Sequence, residues 1–310
     1  MQIFRTFEAI ASKFEKVCLA IGVFDGVHLG HQRVIFQARD DAKLIGGHSV
    51  VLTFDPHPMQ VLCPEKAPPL LTSTRHKLAL IEGLGVDACL ILTFDKPFAE
   101  TSATEFLRQL VHTCGGLAEL CVGTRFRFGH NREGDVRLME NFALQNGFKV
   151  REIKPVRVND EMVSSTSIRQ RILQGQLDRA AAMLGRPYSV SGKVEPGDHR
   201  GHKIGFPTAN VDPNGEVLPP DGVYAVRVAI DKRRLGGVAN IGVRPTFSGS
   251  SQGRMLEVHI LDFNGDIYGA EIGLEFVENL RPERRFDSVS SLQQQIRNDI
   301  QGARRILSVA

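Results

Sequence analysis

His28 and His31 stand three residues apart, with Gly30 between them, in GVFDGVHLGH (22–31). The run before them, VCLAIGVF (17–24), reads as a buried strand. The run after them, QRVIFQARDDAKLIG (32–46), has apolar residues at helical spacing and ends in Gly46-Gly47. The histidines therefore fall on a strand-to-helix turn. The unpaired N–H groups of a helix N-terminus favour an anion there. Two imidazole N–H donors beside such a site can stabilise charge building on a phosphoryl group as its leaving group departs. Gly30 lets the backbone approach phosphates closely. Gly22, Asp25 and Gly26 shape the turn, and Gly22, Phe24 and Gly30 are candidate phosphate-side residues. The competing reading is a pair of capping or solvent-facing histidines. Metal ligation is disfavoured because no third ligand lies at a helpful spacing.

A second stretch, SSTSIR (164–169), follows a strand-like run and starts a helix. Ser164, Ser165 and Thr166 offer hydroxyls and N–H groups at the helix start, with Arg169 near the first turn, a set suited to a polyphosphate. A simple N-cap by Ser165 or Thr166 is the plainer alternative. A third stretch is GDHRGHKIGFPTAN (197–210). Gly197, Gly201 and Gly205 make a loop that can wrap phosphates with its N–H groups, and His199, Arg200, His202 and Lys203 make it basic. Thr208 and Asn210 follow as oxygen donors two apart, on one face of an extended segment, and suit Mg²⁺. Glu257 in MLEVHILDF could accept a hydroxyl proton during phosphoryl transfer. It alternates with Leu256, Val258 and Ile260, and a solvent-facing carboxylate fits that pattern equally well.

The elements that must position these residues fall into two groups. Apolar runs at 17–24, 49–54, 88–94, 117–123 and 148–153 alternate with helical patterns such as TSATEFLRQLVHTC (101–114), where Thr101 or Ser102 is a plausible N-cap. This rhythm predicts an α/β fold: a parallel sheet with helices on both faces, binding ligands at the strand C-termini. A helix pair over 167–184 leads to Gly185-Arg186-Pro187. Beyond it come YSVSGKVE, GVYAVRVAI, RRLGGVANI, MLEVHILDF and AEIGLEFVE, separated by turn dipeptides. These predict a small antiparallel barrel or sandwich, closed by a helix over 288–307. The domains are expected at 1–185 and 186–310. Of the 310 residues, 42% are hydrophobic and 24% charged, which is ordinary globular composition with length enough for two cores. A net charge of +3 is too small to argue for nucleic acid. No apolar run approaches the ~20 residues of a membrane span, and the N-terminus lacks a signal-peptide core. The five cysteines form no CxxC pair and mostly lie in or beside apolar runs. A cytoplasmic protein with reduced thiols is expected. Small-molecule partners, no nucleic acid, no membrane and a monomer or weak homo-oligomer are further expectations.

HxGH with a Ser/Thr-rich loop resembles the nucleotidyltransferase superfamily. The ordered strings HxGH, SSTxIR, LGRPY, GxxxGxxxGFPTAN, GVYAV, ANIGVRPTF and LEVHILDF resemble, over nearly the whole chain, the bacterial bifunctional riboflavin kinase / FMN adenylyltransferase family. The resemblance implies a nucleotidyltransferase-like N-terminal domain and a C-terminal β-barrel. The barrel would phosphorylate riboflavin to FMN with MgATP. The first domain would adenylylate FMN to FAD and release pyrophosphate. It implies that His28 and His31 serve adenylylation, with Ser164, Ser165, Thr166 and Arg169 in its phosphate loop. Thr208 and Asn210 map onto the kinase Mg·ATP motif, and Glu257 onto the kinase base. One position departs: where the family has Gly-x-(Asp or Asn)-Phe-x-Phe-Gly, this chain has GTRFRFG (123–129), placing Arg125 at a flavin- or phosphate-facing position of the adenylylation cleft. The alternatives are a kinase whose N-terminal domain binds nucleotide or flavin without adenylylation, and a flavin-responsive regulator without useful catalysis.

Overall fold

The computed structural model describes residues 1–113, 116–197, 201, 204–231, 233–243 and 254–309. By internal contacts the chain divides into two compact units, Met1–Pro68 with Thr74–Ser165, and Pro69–Ser73 with Thr166–Ala310.

The first unit runs β1 (Gln2–Phe4), α1 (Phe7–Ala11), β2 (Val17–Ile21), α2 (Leu29–Leu44), β3 (His48–Asp55), α3 (Pro58–Leu62), α4 (Thr74–Glu82), β4 (Ala88–Thr93), α5 (Lys96–Ala99), α6 (Ala103–Thr113), β5 (Leu117–Gly123), α7 (Val136–Asn146) and β6 (Lys149–Ile153). A short hairpin, β7 (Arg157–Val158) and β8 (Glu161–Met162), then leads to α8 (Ser165–Leu173). Six strands form one sheet in the order β1-β4-β3-β2-β5-β6, and every neighbouring pair is parallel. Strand alternation feeds two cores. Val17, Leu19 and Ile21 of β2 pack with α1, α6 and α7 residues such as Ile10, Leu107 and Met139. Cys18 and Ala20 pack with Val34, Ile35 and Ala38 of α2 and Ile81 of α4. Helices thus cover both faces, as the alternating rhythm predicts. β3 adds to one side of β2 and β5 to the other, so the strand order reverses between β2 and β5. That switch point is where such sheets bind ligands. β1 is too short to show a period, and nothing in its sequence announces it. Ser102, rather than Thr101, caps α6, its Oγ accepting from the Glu105 N–H at 3.2 Å.

The second unit contains α8 from Thr166 onward, α9 (Leu177–Leu184), β9 (Ser189–Glu195), β10 (Ala209–Asp212), β11 (Gly222–Ile230), β12 (Arg233–Val243), β13 (Arg254–Ile260), β14 (Glu271–Arg281) and α10 (Val289–Val309). Its strands close into an antiparallel barrel in the order β10-β13-β12-β11-β14-β9. Period-two alternation fills the interior: Leu256, Val258 and Ile260 of β13 and Ile272, Leu274 and Phe276 of β14 are buried. A buried ion pair fastens the closing helix, with Arg281 Nη2 of β14 2.9 Å from Asp299 Oδ2 of α10. The barrel closes through β10, whose four residues, ANVD, are the extended segment that carries Asn210.

Candidate active sites

β2 ends at Ile21, and the chain turns sharply into α2. Phe24, Gly26 and Val27 all adopt positive φ, at 53°, 84° and 40°. Gly22 is required by space, because a Cβ there would lie 2.8 Å from the Phe24 ring. That ring meets His31 edge-on, centroids 5.3 Å apart. His28 is the N-cap of α2, and its Nδ1 accepts the His31 N–H at 3.2 Å. The His28 side chain therefore caps the helix, and the cap has a chemical consequence. An accepting Nδ1 leaves the imidazole proton on Nε2, so His28 is fixed as an Nε2–H donor. The two imidazoles stack at 3.5 Å. A Cβ on Gly30 would come within 3.1 Å of the His28 ring, so glycine leaves that stack undisturbed. Among the described residues, the close His/Cys/Asp/Glu donor group is Asp41, Glu119 and Cys121, which includes neither histidine.

The Ser/Thr stretch joins this turn. Ser165, the first residue of α8, donates its Oγ to the Asp25 carbonyl at 3.0 Å across 140 positions of sequence. Thr166 is exposed and Ser164 half-buried. Arg169 is buried in the second unit, where its Nε donates to the Pro69 carbonyl at 2.7 Å. TFDPHP ends β3, the neighbour of β2, with a cis Asp55-Pro56 bond and His57 capping α3. GTRFRFG leaves the end of β5, the other neighbour of β2. The Phe126 N–H donates to the Gly123 carbonyl at 2.8 Å, closing a turn that carries Arg125. Phe126 and Phe128 pack on the core while Arg125 is exposed.

In the barrel, Gly197, Gly201, Thr208, Asn210 and Glu257 line one cavity of about 820 Å³. Leu256, Val258 and Ile260 take the interior face of β13, so Glu257 projects from the opposite face, half-buried. Asn210 of β10 is its direct cross-strand partner. The loop glycines are dictated by close approach. A Cβ on Gly197 would lie 1.8 Å from Asn210 Nδ2, and one on Gly201 would lie 2.9 Å from Thr208 Oγ1. Gly205 adopts φ +83°. His259 Nδ1 sits 2.8 Å from the Pro207 carbonyl, tying the start of the Thr208–Asn210 segment to β13. Lys203, His199, Arg200 and His202 lie outside the described residues, as does the end of ANIGVRPTF. Within this lining Thr208, Asn210 and Glu257 supply a hydroxyl, an amide and a carboxylate, hard oxygen donors that fit Mg²⁺.

A parallel sheet with a histidine pair at its switch point, followed by a closed barrel with an oxygen-lined cavity, defines a two-module transferase. A family model described as FAD synthetase matches residues 10–167, and one described as riboflavin kinase matches 184–307. The chain is 37% identical to the bifunctional riboflavin kinase/FMN adenylyltransferase of Escherichia coli K12, covering 100% of this chain and 99% of that one. It is also 37% identical to the Bacillus subtilis protein of the same description, covering 94% and 93%. A crystal structure from Streptococcus pneumoniae, described as a macrolide-efflux protein, superposes with a TM-score of 0.82 at 30% identity, over 97% of this chain and 98% of that chain. Among the described residues, no helix is long and apolar enough to cross a membrane. The chain belongs to the bifunctional riboflavin kinase/FMN adenylyltransferase family.

Lys77 carries no sequence signal of its role. This α4 residue is buried beneath the turns, and its Nζ donates to the carbonyls of Val23 at 3.2 Å and Phe54 at 3.1 Å. It thus clamps the ends of β2 and β3, from which HxGH and TFDPHP emerge. Loss of hydration pushes its pKa below the ordinary 10.5, and the charges of Asp25 and Asp55 oppose that fall. A lysine with a lowered folded pKa loses its proton in the folded state before the unfolded state does. Stability from this site therefore rises with pH between the lowered value and 10.5. Lys77→Met removes that slope. The unfolding free energy of the wild type minus that of the variant, from urea titrations, is expected to grow with rising pH on the alkaline side, up to 10.5. A flat difference would refute the assignment.

Proposed function

We propose that the barrel cavity is the riboflavin kinase site and the β2–α2 turn the FMN adenylyltransferase site, with domains at 1–185 and 186–310. The observation that carries the reading is the register of Asn210 with Glu257 on adjacent strands lining one cavity. In the first reaction a ribityl hydroxyl of riboflavin attacks the γ-phosphorus of ATP and ADP leaves. Glu257 takes the hydroxyl proton. Thr208 and Asn210 would hold Mg²⁺, which when bound would neutralise charge on the phosphate oxygens. The N–H groups of Gly197, Gly201 and Gly205 and the charge of Lys203 serve the phosphates. In the second reaction an FMN phosphate oxygen attacks the α-phosphorus of ATP and pyrophosphate leaves. His28, held as an Nε2–H donor, and His31 stabilise the charge that builds there. The backbone of Gly22, Phe24 and Gly30 and the hydroxyls of Ser164 and Ser165 receive the polyphosphate. A cytosolic setting fits the four free described cysteines, three of them buried; burial pushes the Cys18 thiol up to about 11 and that of Cys89 to about 12. A monomer or weak homo-oligomer acting on small molecules is the expected form.

The test is incubation with riboflavin, ATP and Mg²⁺, with FMN and FAD separated over time. Glu257→Gln and Asn210→Ala should cut FMN formation strongly while FAD still forms from supplied FMN. Near-normal kinase turnover in both would end the assignment. His31→Ala should slow FAD formation by ~10²-fold, the usual loss for one transition-state donor, and leave FMN formation alone. Normal conversion of FMN to FAD would reduce both histidines to caps. Arg125 sits at the end of β5 with its side chain exposed, beside the strand that ends in HxGH. Both substrates are anionic, so a cation there serves binding. Arg125→Asp reverses the charge and should raise the Michaelis constant for FMN or ATP in adenylylation only. Unchanged constants would remove Arg125 from the cleft.

A further inference from the structure

Glu257 has a second cross-strand partner. β13 lies between β10 and β12, and Glu257 is in register with Asn210 on one side and Asn240 on the other. In-register residues of antiparallel strands share a face, their Cβ atoms roughly 4.5–5.5 Å apart. All three residues line the cavity. On β12 the run LGGVANIGV (235–243) is apolar or glycine except for Asn240, and Val238 and Gly242, two residues away on its face, offer no polar group. Asparagine is depleted in strands, and this half-buried amide lies on the cavity wall rather than in the barrel interior. Among the described residues none hydrogen-bonds the Asn240 side chain.

We infer that Asn240 binds the acceptor, taking a hydroxyl of its polyol chain adjacent to the one phosphorylated. The inference rests on the reading of Glu257 as proton acceptor. Given that reading, the row has a direction. The phosphoryl donor lies toward Asn210, Glu257 receives the proton of the attacking hydroxyl, and the rest of the acceptor extends away from the donor. The next residue that way is Asn240. An amide carries one acceptor and two donor hydrogens without charge, which matches a hydroxyl in either role. Asn240 thus selects a polyol over a simple alcohol, because a site built to bond a hydroxyl disfavours a ligand lacking it.

The experiment uses the full chain with two acceptors: riboflavin, and a flavin whose N10 chain is 5-hydroxypentyl, which keeps the terminal hydroxyl and lacks the others. Asn240→Ala should lower kcat/KM for riboflavin by roughly three- to tenfold, the range of one hydrogen bond, and leave that for the hydroxypentyl flavin and the KM for ATP unchanged. The wild-type preference for riboflavin should shrink by the same factor. Equal losses on both acceptors, or no loss, would overturn the inference. If the alanine variant unfolds, as judged by its melting temperature, Asn240→Ser keeps a donor and an acceptor and should retain part of the preference; equal losses on both acceptors there also overturn it. Glu257→Gln is run alongside. Its failure to slow either acceptor would sink the reading of the base, separately from that of Asn240.

Discussion

In β2 the side chains of Val17, Leu19 and Ile21 go to one core and those of Cys18 and Ala20 to the other. No position on the strand is left for a polar group. A sheet covered on both faces can place chemistry only at the ends of its strands, and the turns there must be built from backbone as much as from side chains. That constraint accounts for the positive φ values between Phe24 and Val27, the glycine demanded at 22, and a histidine used as a helix cap. The barrel lives under the opposite condition. One face of each strand fills the interior, and the other is free to carry a row of polar residues. Glu195, Asn210, Glu257 and Asn240 follow one another across β9, β10, β13 and β12 in strict register.

The order within that row has an electrostatic logic. Carboxylates directly opposite each other, about 5 Å apart, would repel by about 3 kcal/mol at an effective dielectric of ~20. Strands are spaced by ~4.8 Å, so an amide between the acids roughly doubles the separation and halves the repulsion. Asn210 therefore separates Glu195 from Glu257 as well as offering its own oxygen. Gly197 completes the arrangement, because Asn210 fills the space that a side chain there would need.

Local pattern made much of this legible in the sequence. The strand-to-helix turn at HxGH, both helix-rich and strand-rich halves, and the closing helix follow from periodicity and punctuation. What pattern could not supply is register and distant contact. Alternation puts Glu257 opposite Leu256 and Val258, yet only the pairing of β13 with β10 and β12 gives it neighbours. Ser165 reaches Asp25 over 140 positions, a link no window of sequence contains. Lys77 looks like any charged residue on a short helix until its carbonyl partners are known. Asn240 hides inside an apolar strand, where its oddity is visible but its purpose is not. His28 shows a further limit: capping and chemistry looked like rival readings, but the cap is what fixes the tautomer.

The departure at Arg125 is best understood through what holds its loop. The Gly123–Phe126 turn is closed by backbone, Thr124 bonds the Ile153 carbonyl through both its N–H and its hydroxyl, and Phe126 and Phe128 stack at 5.8 Å. Gly129 sits at φ +73°, where a Cβ would meet the Ala103 backbone at 2.5 Å. Every anchor of the segment lies on residues other than 125. The side chain there is exposed and supports none of them, so the fold sets no preference between an acid, an amide and a guanidinium. An exposed position with no structural duty takes its residue type from charge alone, and arginine there presents a planar cation with five donors where an aspartate would present an anion.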